Sequence, residues 1–122
     1  MTGTFNRVLS VGMLEHVGYK NYRTYMETTE RCLEDDGIAF IQNIGGNRSA
    51  TSTDPWMNKY IFPNSMLPSI RQISRAMEGL FVMEDWHNLG PDYDKTLLAW
   101  YDNFEKNWTK HKQAYGKRFY RM

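Results

Sequence analysis

The sequence has one cysteine, Cys32, in 122 residues. A lone cysteine excludes an internal disulfide framework and a cysteine-rich zinc site. No apolar run approaches the roughly 20 residues of a membrane span, and the first residues lack the charged and apolar regions of a secretory signal. Net charge is nearly absent at +1, which argues against a basic nucleic-acid surface. No Gly-x-Gly-x-x-Gly turn follows the first apolar stretch, and no Gly-x-Ser-x-Gly elbow exists. The histidines His16, His87 and His111 have no metal-ligand spacing, so no metal site is expected. Repeats and low-complexity tracts are missing as well. These absences set the expectation of a soluble cytoplasmic protein that does not bind nucleic acid. Aromatic residues, in contrast, are plentiful at 15%, and the length suits one domain with a modest core.

The stretch Phe5 to Gly18, FNRVLSVGMLEHVG, organises the rest. Phe5 to Val11 is apolar and β-branched enough for a buried strand. Gly12 ends it and removes a Cβ where backbone would approach a ligand. Glu15 and His16 follow. An open α/β sheet builds its site at the carboxyl ends of strands, and a strand running into glycine and a carboxylate fits that plan. On pattern alone, the stretch reads more simply as a strand, a turn and a solvated Glu15–His16 pair.

Downstream, Asn21 to Leu33 carries Tyr22, Tyr25, Met26, Thr29, Cys32 and Leu33 at helical spacing, which makes Cys32 a packing residue. Glu34-Asp35-Asp36-Gly37 reads as a turn with Gly37 at positive φ. Ile38 to Ile44 reads as a second strand, apolar enough to be covered on both faces of a parallel sheet. The resulting βαβ unit, with a right-handed crossover, brings Glu15 and the segment Gln42 to Gly45 to one sheet edge. Gly45 to Asp54 is a polar loop. Asp54-Pro55 predicts an N-cap and first turn, with a short helix over Pro55 to Ile61. Pro68 opens another helix with Ile70, Ile73 and Met77 on one face and Gly79 as its stop. Residues 46–79 thus form a helical, lid-like insert rich in apolar side chains, suited to wall a long apolar substrate. Leu80 to Trp86 reads as a third strand. In the final helix, capped by Asp92 or Asp94, the stripe of Tyr93, Leu97, Trp100, Tyr101, Phe104 and Trp108 predicts core packing. Lys106, Lys110, His111 and Lys112 near its carboxyl end make a weak patch for anionic lipid.

Four stretches, SVGMLEHVG with KNY, DPWMNKYIFPNSMLPS, FVMEDWHNLGPDYDKTLLAW and YGKRFYRM, resemble the cyclopropane-fatty-acyl-phospholipid and mycolic acid cyclopropane synthases, in the family's order and over nearly the whole chain. The resemblance implies an α/β fold: a partial Rossmann-like S-adenosylmethionine-dependent methyltransferase sheet of three strands with helices, a single partial domain over residues 1–122, cut at both ends. The glycine-rich cofactor loop would lie upstream. It further implies transfer of methylene from S-adenosylmethionine to the cis double bond of an unsaturated phospholipid acyl chain at a membrane surface, with bound bicarbonate as the base. By position, Glu15, Gln42 and Ile44 match the bicarbonate-holding glutamate, histidine and isoleucine, with Gln42 replacing the histidine. Val11, Gly12 and Met13 would lie beside the cofactor's sulfonium. Trp56, Tyr60, Phe62 and Tyr93 are the candidate lid residues. Exposed sheet edges predict self-association or a homo-oligomer. The alternatives are a truncated non-catalytic remnant or interaction module of the same fold, or a methyltransferase for another amphipathic substrate.

Overall fold

In the computed structural model, which describes residues 3–122, strand β1 (Phe5–Val11) pairs in parallel with β2 (Leu33–Gln42). Parallel pairing requires a crossover. Here it is built from helix α1 (Leu14–Val17), a 3-10 turn (Tyr19–Asn21) and helix α2 (Tyr22–Arg31). The register runs from Arg7 opposite Ile38 to Val11 opposite Gln42, so both strands end at the same edge. The expected helix and the first strand are both present. On α2, Tyr22, Met26 and Thr29 are buried, with Cys32 buried just beyond it, as the helical spacing predicts.

The acidic turn is accommodated differently from the expectation. Phe5 pairs with Leu33 and Arg7 with Ile38, so Glu34 to Gly37 bulges out within β2 instead of preceding it. Gly37 is not at positive φ. What it supplies is room: a Cβ there would meet Leu33 Cγ at 2.5 Å and the Glu34 carbonyl oxygen at 2.8 Å.

The chain divides into two compact units, Met1–Val82 and Met83–Met122. In the first, the insert carries helices α3 (Pro55–Tyr60) and α4 (Ile70–Met77). Asp54 caps α3 by accepting from the backbone N–H groups of Trp56 and Met57, with Pro55 in the first turn. Ser69 caps α4: its Oγ accepts from Gln72 N–H at 3.2 Å, and Gln72 Oε1 accepts from Ser69 N–H at 2.9 Å. Gly79 follows its end at φ +74°. Leu14, Tyr22, Met26, Met66, Ile73 and Ala76 make the core, with Ile41 and Met77 packed against it. Ile70, expected on the packed face of α4, is exposed, and Ala76 takes that place.

Among the described residues of this unit, one face of the sheet is covered. Ser10 and Ile41 are half-buried, whereas Leu9 and its partner Phe40 are exposed, contrary to the expectation of strands covered on both faces. The expected third strand over Leu80 to Trp86 does not form. Among the described residues the sheet has two strands, and Val82 is 83% exposed. A strand exists only by pairing, so apolar composition does not create one without a partner.

The second unit is helix α5 (Tyr93–Tyr120), preceded by a 3-10 turn (Gly90–Asp92). Asp92 occupies the N-cap position without a side-chain cap bond. Gly116, at φ +71°, breaks the helical path inside α5. Beyond that break Tyr120 O–H donates to Glu105 Oε1 at 2.8 Å, and its ring lies 4.9 Å from Trp108 and 5.7 Å from Phe104. The aromatic stripe therefore stacks partly on itself. It is not a buried core face: no described residue of α5 is buried, and Trp100 and Tyr101 are exposed. No helix among the described residues is long and apolar enough to cross a membrane.

Candidate functional site

Gly12 follows β1 at φ +63°, a left-handed conformation that L side chains rarely adopt. Its N–H donates to the Gln42 carbonyl at 2.9 Å, which ties the two strand ends together. A Cβ at Gly12 would meet nothing within 4 Å, so space above it is open. Val11 and Met13 flank it, both exposed.

After this turn the chain enters α1. Leu14 is fully buried and anchors the short helix to the core. That anchorage carries its neighbour Glu15 inward, to 7% exposure. The Glu15 backbone oxygen accepts from Met66 N–H at 2.9 Å, and Tyr19 N–H donates to Met66 Sδ at 3.3 Å, so the insert is fastened to α1. The Glu15 carboxylate reaches across to the end of β2, where Oε1 accepts from Ile44 N–H at 2.6 Å. Oε2 is also buried and has no hydrogen-bond partner among the described residues. Glu15 is thus no solvated loop residue, whereas His16 is exposed and meets Phe62 edge-on at 5.9 Å.

Tyr22 belongs to the core, with its hydroxyl buried and without a hydrogen-bond partner among the described residues. Burial, and then the Glu15 charge, push its phenol up to about 12.

The βαβ topology brings Glu15, Gln42, Ile44 and Gly12 together at one sheet edge, as the sequence predicts. Gln42 is half-buried at the last position of β2, and its neighbour Asn43 donates to the Ile44 carbonyl at 3.1 Å. The lid candidates Trp56, Tyr60 and Phe62 are exposed in the first unit, and Trp56 and Tyr60 lie one turn apart on α3 with ring centroids 6.2 Å apart. Tyr93 belongs to the second unit, where it meets Trp100 edge-on at 6.0 Å.

The helical spacing of the sequence gives Tyr22 a packing role alone. The seven-residue step from Glu15 to Tyr22 is two helical turns, yet a 3-10 segment intervenes, so helical spacing gave no signal for the pair.

Residues 1–122 match the family model described as mycolic acid cyclopropane synthetase. The chain is 52% identical over 118 residues to the cyclopropane-fatty-acyl-phospholipid synthase of Escherichia coli (strain K12), covering 97% of this chain and 31% of that protein. It is 35% identical over 127 residues to the sphingolipid C9-methyltransferase of Candida albicans, covering 99% of this chain and 25% of that protein. The chain therefore spans about a third or less of the length of these curated relatives. With the match extending from its first residue to its last, the chain belongs to the mycolic acid cyclopropane synthetase family.

Proposed function

We propose that this chain supplies the acyl-lipid side of an S-adenosylmethionine-dependent methyltransferase site, acting on the cis double bond of an unsaturated phospholipid chain to form a cyclopropane. One observation carries the reading: a buried carboxylate, Glu15, has one oxygen fixed by Ile44 N–H and the other unpartnered, where two parallel strands end. Membership of the family supports it, as does the 52% identity to a protein named for that reaction.

Val11, Gly12 and Met13 are the residues that would hold the sulfonium end of S-adenosylmethionine, and the open space over Gly12 fits a group lying close to backbone there. Glu15 and Gln42 would hold bicarbonate. The orphaned Oε2 fits an acid hydroxyl as acceptor, and the Gln42 amide offers a donor as a neutral histidine does. When bound, S-adenosylmethionine supplies the electrophilic methyl group and bicarbonate supplies the proton acceptor. The protein's own contribution is orientation and shielding. A carboxylate repels another anion, so Glu15 serves by accepting a hydrogen, not by abstracting one. Ile44 N–H is already engaged by Oε1, so its part is to fix the Glu15 rotamer. Water must be kept from a developing cation. The insert over residues 46–79, with Trp56, Tyr60 and Phe62, is the segment of this unit that would exclude it as a lid.

The substrate places the working protein in peripheral contact with a membrane surface. The two-stranded sheet leaves an open edge on each strand, which favours self-association.

The test is a chimera of the Escherichia coli synthase in which this chain replaces the matching 31% of the sequence. The expected result is conversion of unsaturated phospholipid vesicles with S-adenosylmethionine. A folded, cofactor-binding chimera that converts no lipid contradicts the reading.

A further inference from the structure

Among the described residues four buried side-chain polar atoms have no partner: Ser10 Oγ, Glu15 Oε2 and the hydroxyls of Tyr22 and Tyr25; Glu15 Oε2 and the Tyr22 hydroxyl concern the site most directly. Their residues are 7% and 2% exposed. Buried polar groups in folded proteins are nearly always satisfied, by protein or by ordered water, because an unsatisfied one costs about 1–3 kcal/mol. Each of these atoms lacks what the other offers: the carboxylate oxygen is an acceptor only, and the phenol is a donor. Both belong to the same part of the core. Leu14, next to Glu15, and Tyr22 share the cluster with Met26 and Met66. Elements pinned on several sides surround them. Met66 N–H holds the Glu15 backbone, and Arg23, next to Tyr22, ties α2 to the end of α4 by donating to the Glu78 carbonyl at 2.7 Å. Neither group is free to turn to solvent.

We infer that Tyr22 is a positioning residue of the site, its hydroxyl donating through one buried water to Glu15 Oε2 and so fixing the carboxylate that holds Ile44. A water that bridges two or three protein polar groups is an ordinary structural component. The Tyr25 hydroxyl, also buried and unpartnered and one turn further along α2, supplies a further partner for it. With Oε1 held by Ile44 N–H and one acceptor site of Oε2 by the Tyr22-bound water, the carboxylate plane is fixed from both sides, and the second acceptor site of Oε2 is left oriented for the acid hydroxyl.

This inference rests on the reading of Glu15 as the site carboxylate, but its test needs neither cofactor nor lipid. The readout is the Ile44 amide, whose partner is the Glu15 carboxylate. In the full chain, Tyr22→Phe removes one oxygen and keeps the ring in the core. Amide hydrogen exchange followed by NMR should show Ile44 exchanging roughly tenfold faster, the loss expected for one hydrogen bond. The amides of Leu9 and Phe40, in the paired strands, should be unchanged. If Tyr22 only fills space, Ile44 protection stays as in the parent chain, and that result overturns the inference. A second variant guards against a folding defect. In Glu15→Gln, the Tyr22 ring carbon bearing the hydroxyl, labelled with 13C, should titrate at lower pH than in the parent, because the Glu15 charge that helps to raise the phenol is gone. An unmoved Tyr22 titration also overturns the inference. Failure of the chimera to convert lipid, with Ile44 still coupled to Tyr22, would instead sink the functional reading alone.

Discussion

Leu14→Ala is the substitution that tests how the core builds the site. Leu14 is fully buried and packs with Tyr22, Met26, Met66, Ile73 and Ala76. Truncating a buried leucine loses the transfer energy of its methyl groups and leaves a cavity, together about 2–5 kcal/mol. Domains of this size hold only about 5–15 kcal/mol in total. The consequence reaches further because α1 has four residues. A helix that short has no stability of its own and persists by anchorage. Leu14 is its fully buried anchor and Glu15 is the next residue, so the cavity also frees the carboxylate. The assay is urea unfolding monitored by Trp56 fluorescence, in a background carrying Trp86→Phe, Trp100→Phe and Trp108→Phe. With a slope of about 1 kcal/mol per molar urea for a small unit, the midpoint should fall by about 2 M or more. Leu98→Ala, at an exposed position on α5, serves as the control and should change stability by less than about 0.5 kcal/mol. A Leu14→Ala loss below about 1 kcal/mol, or an unchanged Ile44 exchange rate, refutes the claim that the core holds Glu15 in place.

Asp54→Ala removes the acceptor for Trp56 and Met57 N–H and should cost about 1 kcal/mol, read in the same urea unfolding with Trp56 as the reporter. Tyr22 makes stability depend on alkaline pH. Its folded phenol titrates at about 12, against about 10 unfolded, so its contribution is full below pH 10 and is lost as pH rises through 12. That loss should be on the order of 2 kcal/mol, and in Tyr22→Phe the alkaline limb of the stability profile should flatten accordingly. Gln42→His in the chimera should keep or raise vesicle conversion, since histidine donates and accepts as the amide does and can also carry positive charge; a large drop would separate Gln42 from the site.

Local chemistry was written plainly in the sequence, and pairing was not. Asp54-Pro55 starts its helix where capping physics requires, whereas the helix read from Pro68 begins at Ile70 behind the Ser69 cap, and the helical spacing of Tyr22, Met26 and Thr29 gave the buried face of α2. The gathering of Glu15 with Gln42 and Ile44 was legible too, because two parallel strands joined by a helix must end at one edge. The Glu15–Ile44 bond was not, since it joins side chain to backbone across 29 positions. Leu80 to Trp86 has the composition of a strand, but composition says nothing about the partner that would hydrogen-bond it. The acidic segment Glu34 to Gly37 looked like a turn and became a bulge, because the ladder resumes on both sides of it. The stripe on α5 kept its periodicity but not its burial. Periodicity defines a face without supplying the surface that covers it, and after the break at Gly116 its rings turned to one another.

The most direct test of the central claim compares Glu15→Ala with Glu15→Gln in the chimeric synthase, measuring cyclopropane formation in unsaturated phospholipid vesicles alongside cofactor affinity. Loss of a charged hydrogen bond felt in the transition state costs about 1.5–3 kcal/mol, or roughly ten- to a hundredfold in rate. Glu15→Ala should fall by that factor with cofactor affinity nearly unchanged, and Glu15→Gln, which keeps a carbonyl acceptor, should fall less. Full activity in Glu15→Ala would contradict the account and return this buried carboxylate to a purely structural role.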